Sequence, residues 1–237
     1  MSLIVIAVVY FKKGVGIESG MRYLKPERKT LGSIYSIGLP AIVMQILTPI
    51  IFYALNLILD AISVSAVTAY GVYYKLQNFL MMPMNGLGQA AIPVVGFNDG
   101  TGNKERVRQV WRVLIPTALV FALCGTMVFM VLPHQLLALF AASDAMLAMG
   151  VPALRIISVT FAFATVTMMC GYFAAGLGNG LINMVGTALR QLVILVPCVY
   201  VLLHMTGLPW AWFAFWIAEA AAFLYSCHAA KRLLAKP

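Results

Sequence analysis

Long apolar runs separated by short polar segments dominate the hydrophobic pattern of this chain. A helix that crosses the hydrocarbon of a bilayer needs about 20 mostly apolar residues. Six runs reach this length and predict six transmembrane helices, over residues 32–59, 63–97, 107–131, 145–176, 181–204 and 208–230. The second and fourth runs are longer than a perpendicular crossing needs, so we expect them to tilt, bend or extend past the lipid. The pattern predicts an all-α membrane protein with a six-helix lobe at residues 32–230.

The first apolar run of the chain is too short to cross a membrane. Residues 1–13 offer about ten apolar residues, or roughly 15 Å of helix. Two lysines follow this run, whereas a signal peptide carries its charge before the run and a small-residue cleavage site after it. We interpret residues 1–13 as the remnant of a preceding transmembrane helix, with a short interfacial anchor as the alternative. Residues 14–31 are then a basic loop and residues 231–237 a basic tail.

Composition supports a membrane location and argues against several other classes. Hydrophobic residues make up 62% of the 237 residues and charged residues 10%, whereas soluble domains are about 25% charged. The net charge of +9 is spread too thinly for a nucleic-acid surface, so we expect no nucleic-acid partner. The four cysteines are far apart within apolar runs, which favours packing roles over a zinc site or a disulfide framework.

The positions of the basic residues predict the orientation of the spans. Every lysine and arginine except Lys75 and Arg155 lies before the first span, between the second span and the first turns of the third, near the start of the fifth, as Arg190 does, or after the sixth. The loops on the other side contain neither residue type. Because lysine and arginine are enriched in cytoplasmic loops, this alternation predicts six crossings with the segment before the first span and the C-terminus in the cytoplasm.

The second span carries a stripe of polar groups that lipid cannot solvate. Spacings of 3, 4, 3 and 4 predict that five residues share one helix face, and these are Lys75, Asn78, Met82, Asn85 and Gln89. Gln77 is expected to point elsewhere. Such a stripe should face the bundle interior or a water-filled cavity, and interhelical hydrogen bonding is the alternative. Pro83 removes one backbone hydrogen bond beside the stripe, which predicts a hinge.

Three ionisable residues, Lys75, Arg155 and Glu219, are predicted to lie near the membrane midplane. Each falls roughly 15–20 Å below the outer end of its span at 1.5 Å per residue. Buried charges persist when they are paired or hydrated, so we expect Glu219 to pair with Lys75 or Arg155. Glu219 could also exchange a proton during transport, and a static ion pair is the alternative. On the first span, Gln45 and Thr48 share a face that could join the same pathway.

The sequence contains none of the common enzyme signatures that we searched for. A P-loop, HExxH, GxSxG and a dinucleotide-binding fingerprint are all missing from the printed sequence. We therefore expect a protein that is not an enzyme and that needs no cofactor beyond a transported coupling ion. No metal site is expected.

Several segments, taken together in their order along the chain, are familiar. YGVYYKLQNF at 70–79, MPMNGLGQ at 82–89, PVVGFN at 93–98 and GTGNK at 100–104 resemble the eighth helix and following loop of the MATE family of multidrug and toxic compound extrusion transporters. AGLGNG at 175–180, LRQ at 189–191 and WFAFWIAE at 212–219 resemble later helices of that family. The pattern is most similar to the bacterial branch related to DNA-damage-inducible transporters.

This resemblance implies a fold of two six-helix lobes with a substrate cleft between them. The chain corresponds to the second lobe, helices 7–12, in the plasma membrane of a bacterium. The family exports small amphipathic, often cationic drugs in exchange for protons or sodium ions. Its coupling carboxylates often lie on helix 1, and some members use helix 7, where this chain has Gln45 and Thr48. The resemblance therefore leaves Glu219 as the protonatable candidate, and it implies a missing N-terminal lobe, or a second copy, as partner.

Two other functions fit the same observations. A flippase for lipid-linked sugars, from the same superfamily, would suit a cavity with more cationic than acidic side chains. An oligomeric six-helix channel is the second alternative, although a channel should show a repeated pore-lining motif or a re-entrant loop. The lobe alone would leave one wall of its cleft facing lipid, so we expect that it can be inactive by itself.

Overall fold

The computed structural model describes residues 28–61, 63–140 and 143–234, and these residues contain helices and no strand. The interpretation of residues 1–13 lies outside the described residues. The helices are α1 (Arg28–Asp60), α2 (Val64–Gly100), α3 (Lys104–Val131), α4 (Pro133–Ala138), α5 (Asp144–Ser158), α6 (Phe161–Gly176), α7 (Gly180–Ala188), a π-helical segment (Leu189–Leu195), α8 (Val196–Thr206), α9 (Leu208–Ala211) and α10 (Ala214–Leu234).

The chain divides into two compact units, Met1–Gly38 and Leu39–Pro237. In the first unit the structure describes residues 28–38, which form the initial turns of α1. The second unit contains the rest of α1 and all the other helices. Everything that follows concerns this second unit.

The helices coincide with the predicted spans, with internal breaks in three of them. The fourth predicted span comprises α5 and α6, the fifth comprises α7, the π-helical segment and α8, and the sixth comprises α9 and α10. Among the described residues, Lys104–Val131 and Gly180–Thr206 are long and apolar enough to cross a membrane, and the α5–α6 pair adds a third if it forms one bent span. The all-α membrane fold is confirmed, while the number of six crossings stays a prediction.

The fourth predicted span bends by 51° between α5 and α6. A break in a membrane helix leaves backbone carbonyls without their usual N–H donors, so side-chain donors must replace them. The Thr126 hydroxyl from α3 can donate to the Ser158 carbonyl at 2.9 Å or to the Ala122 carbonyl of its own helix at 3.0 Å. The Trp216 indole from α10 donates to the Ile156 carbonyl at 2.9 Å. Thr160 donates to the Ile157 carbonyl at 2.7 Å. Donors on neighbouring helices thus stabilise the bend.

Helix α6 is the central element of the bundle, since it packs against α2, α3, α7 and α10. Its ends are held by aromatic contacts: Phe161 meets Phe129 of α3 edge to face at 5.1 Å, and Phe173 meets Trp111 at 4.8 Å. Near the second of these contacts, α6 and α2 approach closely, because a Cβ atom on Gly176 would lie 2.8 Å from Cβ of Val95. These contacts fix the position of α6, which forms one wall of a polar cavity.

The chain reverses direction between α6 and α7 in a glycine-rich turn. Gly178 has a φ of +77°, in the left-handed region where a side chain would be strained. The Asn179 and Gly178 amides donate to the carbonyls of Ala174 and Ala175 at 2.8 and 3.0 Å. The turn therefore caps the end of α6 and places α7 beside it.

Candidate functional site

A polar cavity of about 470 Å³ opens within the second unit. Helices α1, α2, α6, α7 and α10 and the π-helical segment all contribute to its walls. Amide and hydroxyl side chains supply most of the polar lining, through Gln45, Thr48, Tyr74, Gln77, Asn78, Asn85, Gln89, Thr167, Tyr172, Asn183, Thr187, Gln191 and Ser226. Among the described residues that line this cavity, Arg190 alone carries a full charge at neutral pH.

Part of the predicted stripe on α2 lines this cavity, and the residue at its centre does not. Asn78, Asn85 and Gln89 line the cavity, whereas Lys75 and Met82 are exposed and lie outside the lining. Gln77, expected to point elsewhere, lines the cavity as well, so that expectation is wrong. At 3.6 residues per turn, Lys75 and Met82 occupy the margin of the stripe that is farthest from Gln77. The true face is rotated toward Gln77.

Two bonds fix the amide groups of α2. The Tyr172 hydroxyl from α6 donates to Oδ1 of Asn85 at 2.7 Å, which leaves the Asn85 NH₂ group as a donor. Nδ2 of Asn78 donates to the Tyr74 carbonyl at 2.8 Å, which leaves its oxygen as an acceptor. Tyr172 can approach so closely because it packs on Gly88, where a Cβ atom would lie 2.0 Å from the tyrosine ring. The cavity wall therefore presents both donors and acceptors in set places.

A buried ion pair lies beside the cavity. Nη1 of Arg190, in the π-helical segment, donates to Oε1 of Glu219 on α10 at 2.8 Å. The expectation that Glu219 pairs with Lys75 or Arg155 is therefore wrong. Glu219 lines a smaller adjoining cavity, of about 60 Å³, which Arg190 also lines. The larger cavity is thus in contact with the cation of the pair and not with its carboxylate.

This ion pair is incompletely satisfied by the side chains around it. Oε2 of Glu219 and Nε of Arg190 are both buried and have no hydrogen-bond partner among the described residues. Buried polar groups are rarely left in this state, since each unmade bond costs free energy. Each of these two atoms could therefore form one further hydrogen bond.

The role of Arg190 was missed from sequence, although a signal was present. Arg190 was counted with the basic residues near the cytoplasmic surface. It follows the start of α7 at Gly180 by ten residues, which corresponds to about 15 Å of helix. The same depth argument that selected Glu219 would have placed Arg190 near the midplane. Contact between α10 and the π-helical segment brings Arg190 and Glu219 together.

The remaining predicted site residues lie in different places. Gln45 and Thr48 of α1 line the cavity as expected. Nζ of Lys75 lies 6.0 Å from the centre of the Phe140 ring, within range of a cation–π interaction. Arg155 is exposed in the last turn of α5. Helix α2 continues through Pro83, so the hinge at this position stays a prediction.

Comparison with known proteins places this cavity in a recognised transporter fold. The chain is 28% identical over 211 residues to the multidrug export protein MepA of Staphylococcus saprophyticus, covering 86% of this chain and 46% of that protein. It is 28% identical over 224 residues to MepA of Staphylococcus aureus, covering 92% and 48%. The chain therefore spans about half the length of the curated relatives it matches.

Solved transporter structures share the fold. A MOP superfamily transporter from Pyrococcus furiosus superposes with a TM-score of 0.88 at 22% identity, covering 98% of this chain and 54% of that one. The Vibrio cholerae MATE transporter VcmN gives 0.86 at 19% identity, with coverage of 98% and 52%. The profile of the MatE family matches residues 40–201. Since this match includes more than half of the sequence, the chain belongs to the MatE family.

Proposed function

We propose that this chain is the C-terminal lobe of a secondary active exporter of small amphipathic compounds. The polar cavity in an otherwise apolar helical bundle carries the proposal. Amide and hydroxyl side chains are costly against lipid, so a wall of them indicates a space that holds water or a ligand. Its volume of about 470 Å³ falls within the range of drug-sized ligand sites. The similarity to MepA proteins, which are multidrug export proteins, supports the same function.

In this proposal the lobe works with a second lobe, either an N-terminal six-helix lobe or another copy of the chain. The chain covers 46% and 48% of the two MepA proteins, which agrees with a half-transporter. Alternating access then follows when cation and compound favour different arrangements of the two lobes. We place the lobe in the bacterial plasma membrane with its C-terminus in the cytoplasm.

For the coupling cation we propose a proton and assign its uptake to Glu219. Glu219 is a buried carboxylate that contacts both Arg190 and the smaller cavity. Protonation would remove the attraction that holds Arg190, so the pair offers a link between cation binding and rearrangement of the π-helical segment. Sodium coupling is the alternative and would make transport follow a sodium gradient instead.

Efflux measurements on cells test this function. The chain is expressed alone and together with the reading frame upstream of Met1, in a bacterium that lacks its major drug exporters. Efflux of norfloxacin, an amphipathic fluorescent compound that carries a carboxylate, is expected wherever two lobes are supplied, and it should fall at least about tenfold in the Asn78→Leu/Asn85→Leu variant. Thr117→Leu, an exposed change on α3, is the matched control and should retain efflux.

Three outcomes would contradict the proposal. Voltage-driven ion conductance without norfloxacin transport would favour a channel. Movement of fluorescent lipid-linked sugars without norfloxacin efflux would favour a flippase. Efflux that is unaffected by filling the cavity with two leucines would remove the cavity from the pathway. An imposed proton or sodium gradient, applied separately to vesicles, distinguishes the coupling ions.

A further inference from the structure

We infer that Arg190 makes the cavity a binding site for an anionic oxygen group, a carboxylate or a phosphate, on an amphipathic ligand. This inference rests on the proposed function, because it names the chemical group that the transported compound presents to this lobe. It concerns the larger cavity alone and does not require that Glu219 couples transport to a proton.

The charge distribution of the lining is the first argument. Within the described part of the chain, Arg190 contributes the single full charge to the wall of the larger cavity, and its carboxylate partner Glu219 lines the smaller cavity instead. A cationic group entering the larger cavity would meet a guanidinium without an exposed counter-charge. An anionic group would meet a cation in surroundings of low dielectric, where their attraction is stronger than in water.

The hydrogen-bonding capacity of Arg190 is the second argument. A guanidinium has five N–H donors in a planar fork that suits carboxylate and phosphate oxygens. One of them, on Nη1, is engaged by Glu219 at 2.8 Å. About one fifth of the Arg190 side chain, 21%, remains exposed. The guanidinium therefore holds the Glu219 carboxylate through a single hydrogen bond and can donate to a second oxygen ligand.

Neighbouring groups add donors to the same wall. Asn183 and Thr187 precede Arg190 at helical spacing and line the cavity with it, and Gln191 follows. Across the cavity, the Tyr172 bond to Oδ1 of Asn85 leaves the Asn85 NH₂ group as a donor. A cavity with a fixed cation and fixed neutral donors provides what an oxyanion needs when it leaves water.

Glu219 competes with the ligand for the same guanidinium. Two anionic groups near one cation repel each other, so a bound oxyanion weakens the bond between Arg190 and Glu219. The ligand thus exchanges one ion pair for another, and the partly unsatisfied state of the original pair favours this exchange. Neutralising Glu219 should therefore increase the affinity of the cavity for an oxyanion.

Binding of a matched ligand series to the full chain in nanodiscs tests the inference. The probes are 2-naphthoate, 2-naphthyl phosphate, the neutral 2-naphthamide and the cationic 2-naphthylmethylammonium, measured by equilibrium dialysis against empty nanodiscs. The two anions are expected to bind at least about tenfold more tightly than the cation, with the amide between. Preference for one of the two anions identifies which oxygen group the site favours.

Variants separate the ionic role of Arg190 from a structural one. Glu219→Gln should raise the affinity for the anions several-fold, whereas Arg190→Gln should lower it at least about tenfold and leave the amide unchanged. The Arg190→Gln/Glu219→Gln variant keeps two neutral partners that can bond each other, so it serves if the single change unfolds the chain. Arg112→Gln, an exposed charge change on α3, is the matched control.

Several results would overturn the inference. These are tighter binding of the cation than of the anions, equal binding of all four probes, and lower anion affinity in Glu219→Gln. Unchanged anion affinity in Arg190→Gln or in the double variant would have the same meaning. Because binding is measured without a gradient or a second lobe, such a failure leaves the efflux test of the proposed function intact, and the reverse also holds.

Discussion

At the residue scale, the geometry of the cavity depends on contacts that orient individual side chains. Tyr172 both packs on Gly88 and donates to Asn85, so the orientation of one cavity amide depends on a glycine one turn away. Small residues at helix contacts in membranes allow this kind of close approach. The glycine therefore supports the cavity without lining it.

Replacing Gly88 with alanine should displace Tyr172 and disturb the cavity. The added methyl would lie 2.0 Å from the tyrosine ring, and overpacking of this kind typically costs about 1–3 kcal/mol. We expect a lower melting temperature in detergent, measured by thermal unfolding. Gly86→Ala is the control on the same helix, since nothing lies within 4 Å of its added Cβ atom. Equal melting temperatures for the two variants would contradict the packing role of Gly88.

The residue scale also shows what the sequence could and could not predict. Helical spacing identified Asn78, Asn85 and Gln89 as cavity residues, because periodicity is a property of one segment. The partner of Glu219 was not predictable in the same way, because the contact between α10 and the π-helical segment depends on how distant segments pack. Arg190 was within reach of the depth argument, but its basic charge was assigned to membrane topology.

At the element scale, the bend between α5 and α6 is the feature that shapes the bundle. The length of the fourth predicted span indicated a bend or tilt, and the 51° bend confirms the former. The location of the bend was not predicted, since no proline stands at residues 159–160. Donors from α3 and α10 determine the place, and such donors are visible only after the helices have packed.

Replacing Thr126 with valine should weaken the bend. This change removes the hydroxyl that donates to the Ser158 carbonyl at 2.9 Å and leaves that carbonyl without this donor. The expected loss is about 1 kcal/mol of unfolding free energy, the usual net value of one such hydrogen bond. Steric trapping or thermal unfolding in detergent measures it. Thr126→Ser should retain stability, and Thr117→Val on the exposed face of α3 is the matched control.

If Thr126→Val were as stable as the parent chain, the hydroxyl would not hold the bend. The Trp216 indole, which donates to the Ile156 carbonyl at 2.9 Å, would then be the principal support. Trp216→Phe, measured in the same way, distinguishes these two possibilities.

At the scale of the whole molecule, polar residues serve two separate purposes. Basic residues in loops and tails predict the orientation, whereas amides and Arg190 line the cavity. The class of fold followed from the apolar runs, and the order of the segments indicated the family. The number of crossings was less secure, because the cavity-lining side of α2 is polar and lowers the overall hydropathy of a helix that belongs to the bundle.

Cysteine labelling should establish the orientation. After replacement of the four native cysteines, single cysteines are introduced at Asn103, Ser143, Asn179 and Met205, one in each of four loops between predicted spans. An impermeant maleimide should label positions 143 and 205 in intact cells and positions 103 and 179 after permeabilisation only. Labelling of positions 103 and 143 from the same side would contradict a crossing by α3.

The length of α2 has a mechanical consequence. Its 37 residues make a rod of about 55 Å, compared with a hydrocarbon thickness of about 30 Å. Near its far end, Val95 rests against Gly176, which makes this contact a fulcrum. From this contact to the start of α2 at Val64 the rod is about 47 Å long, and a tilt of about ten degrees would move that end by about 8 Å. A shift of the cavity amide at Asn78, about 25 Å from the contact, would therefore be nearly doubled at that end of the helix.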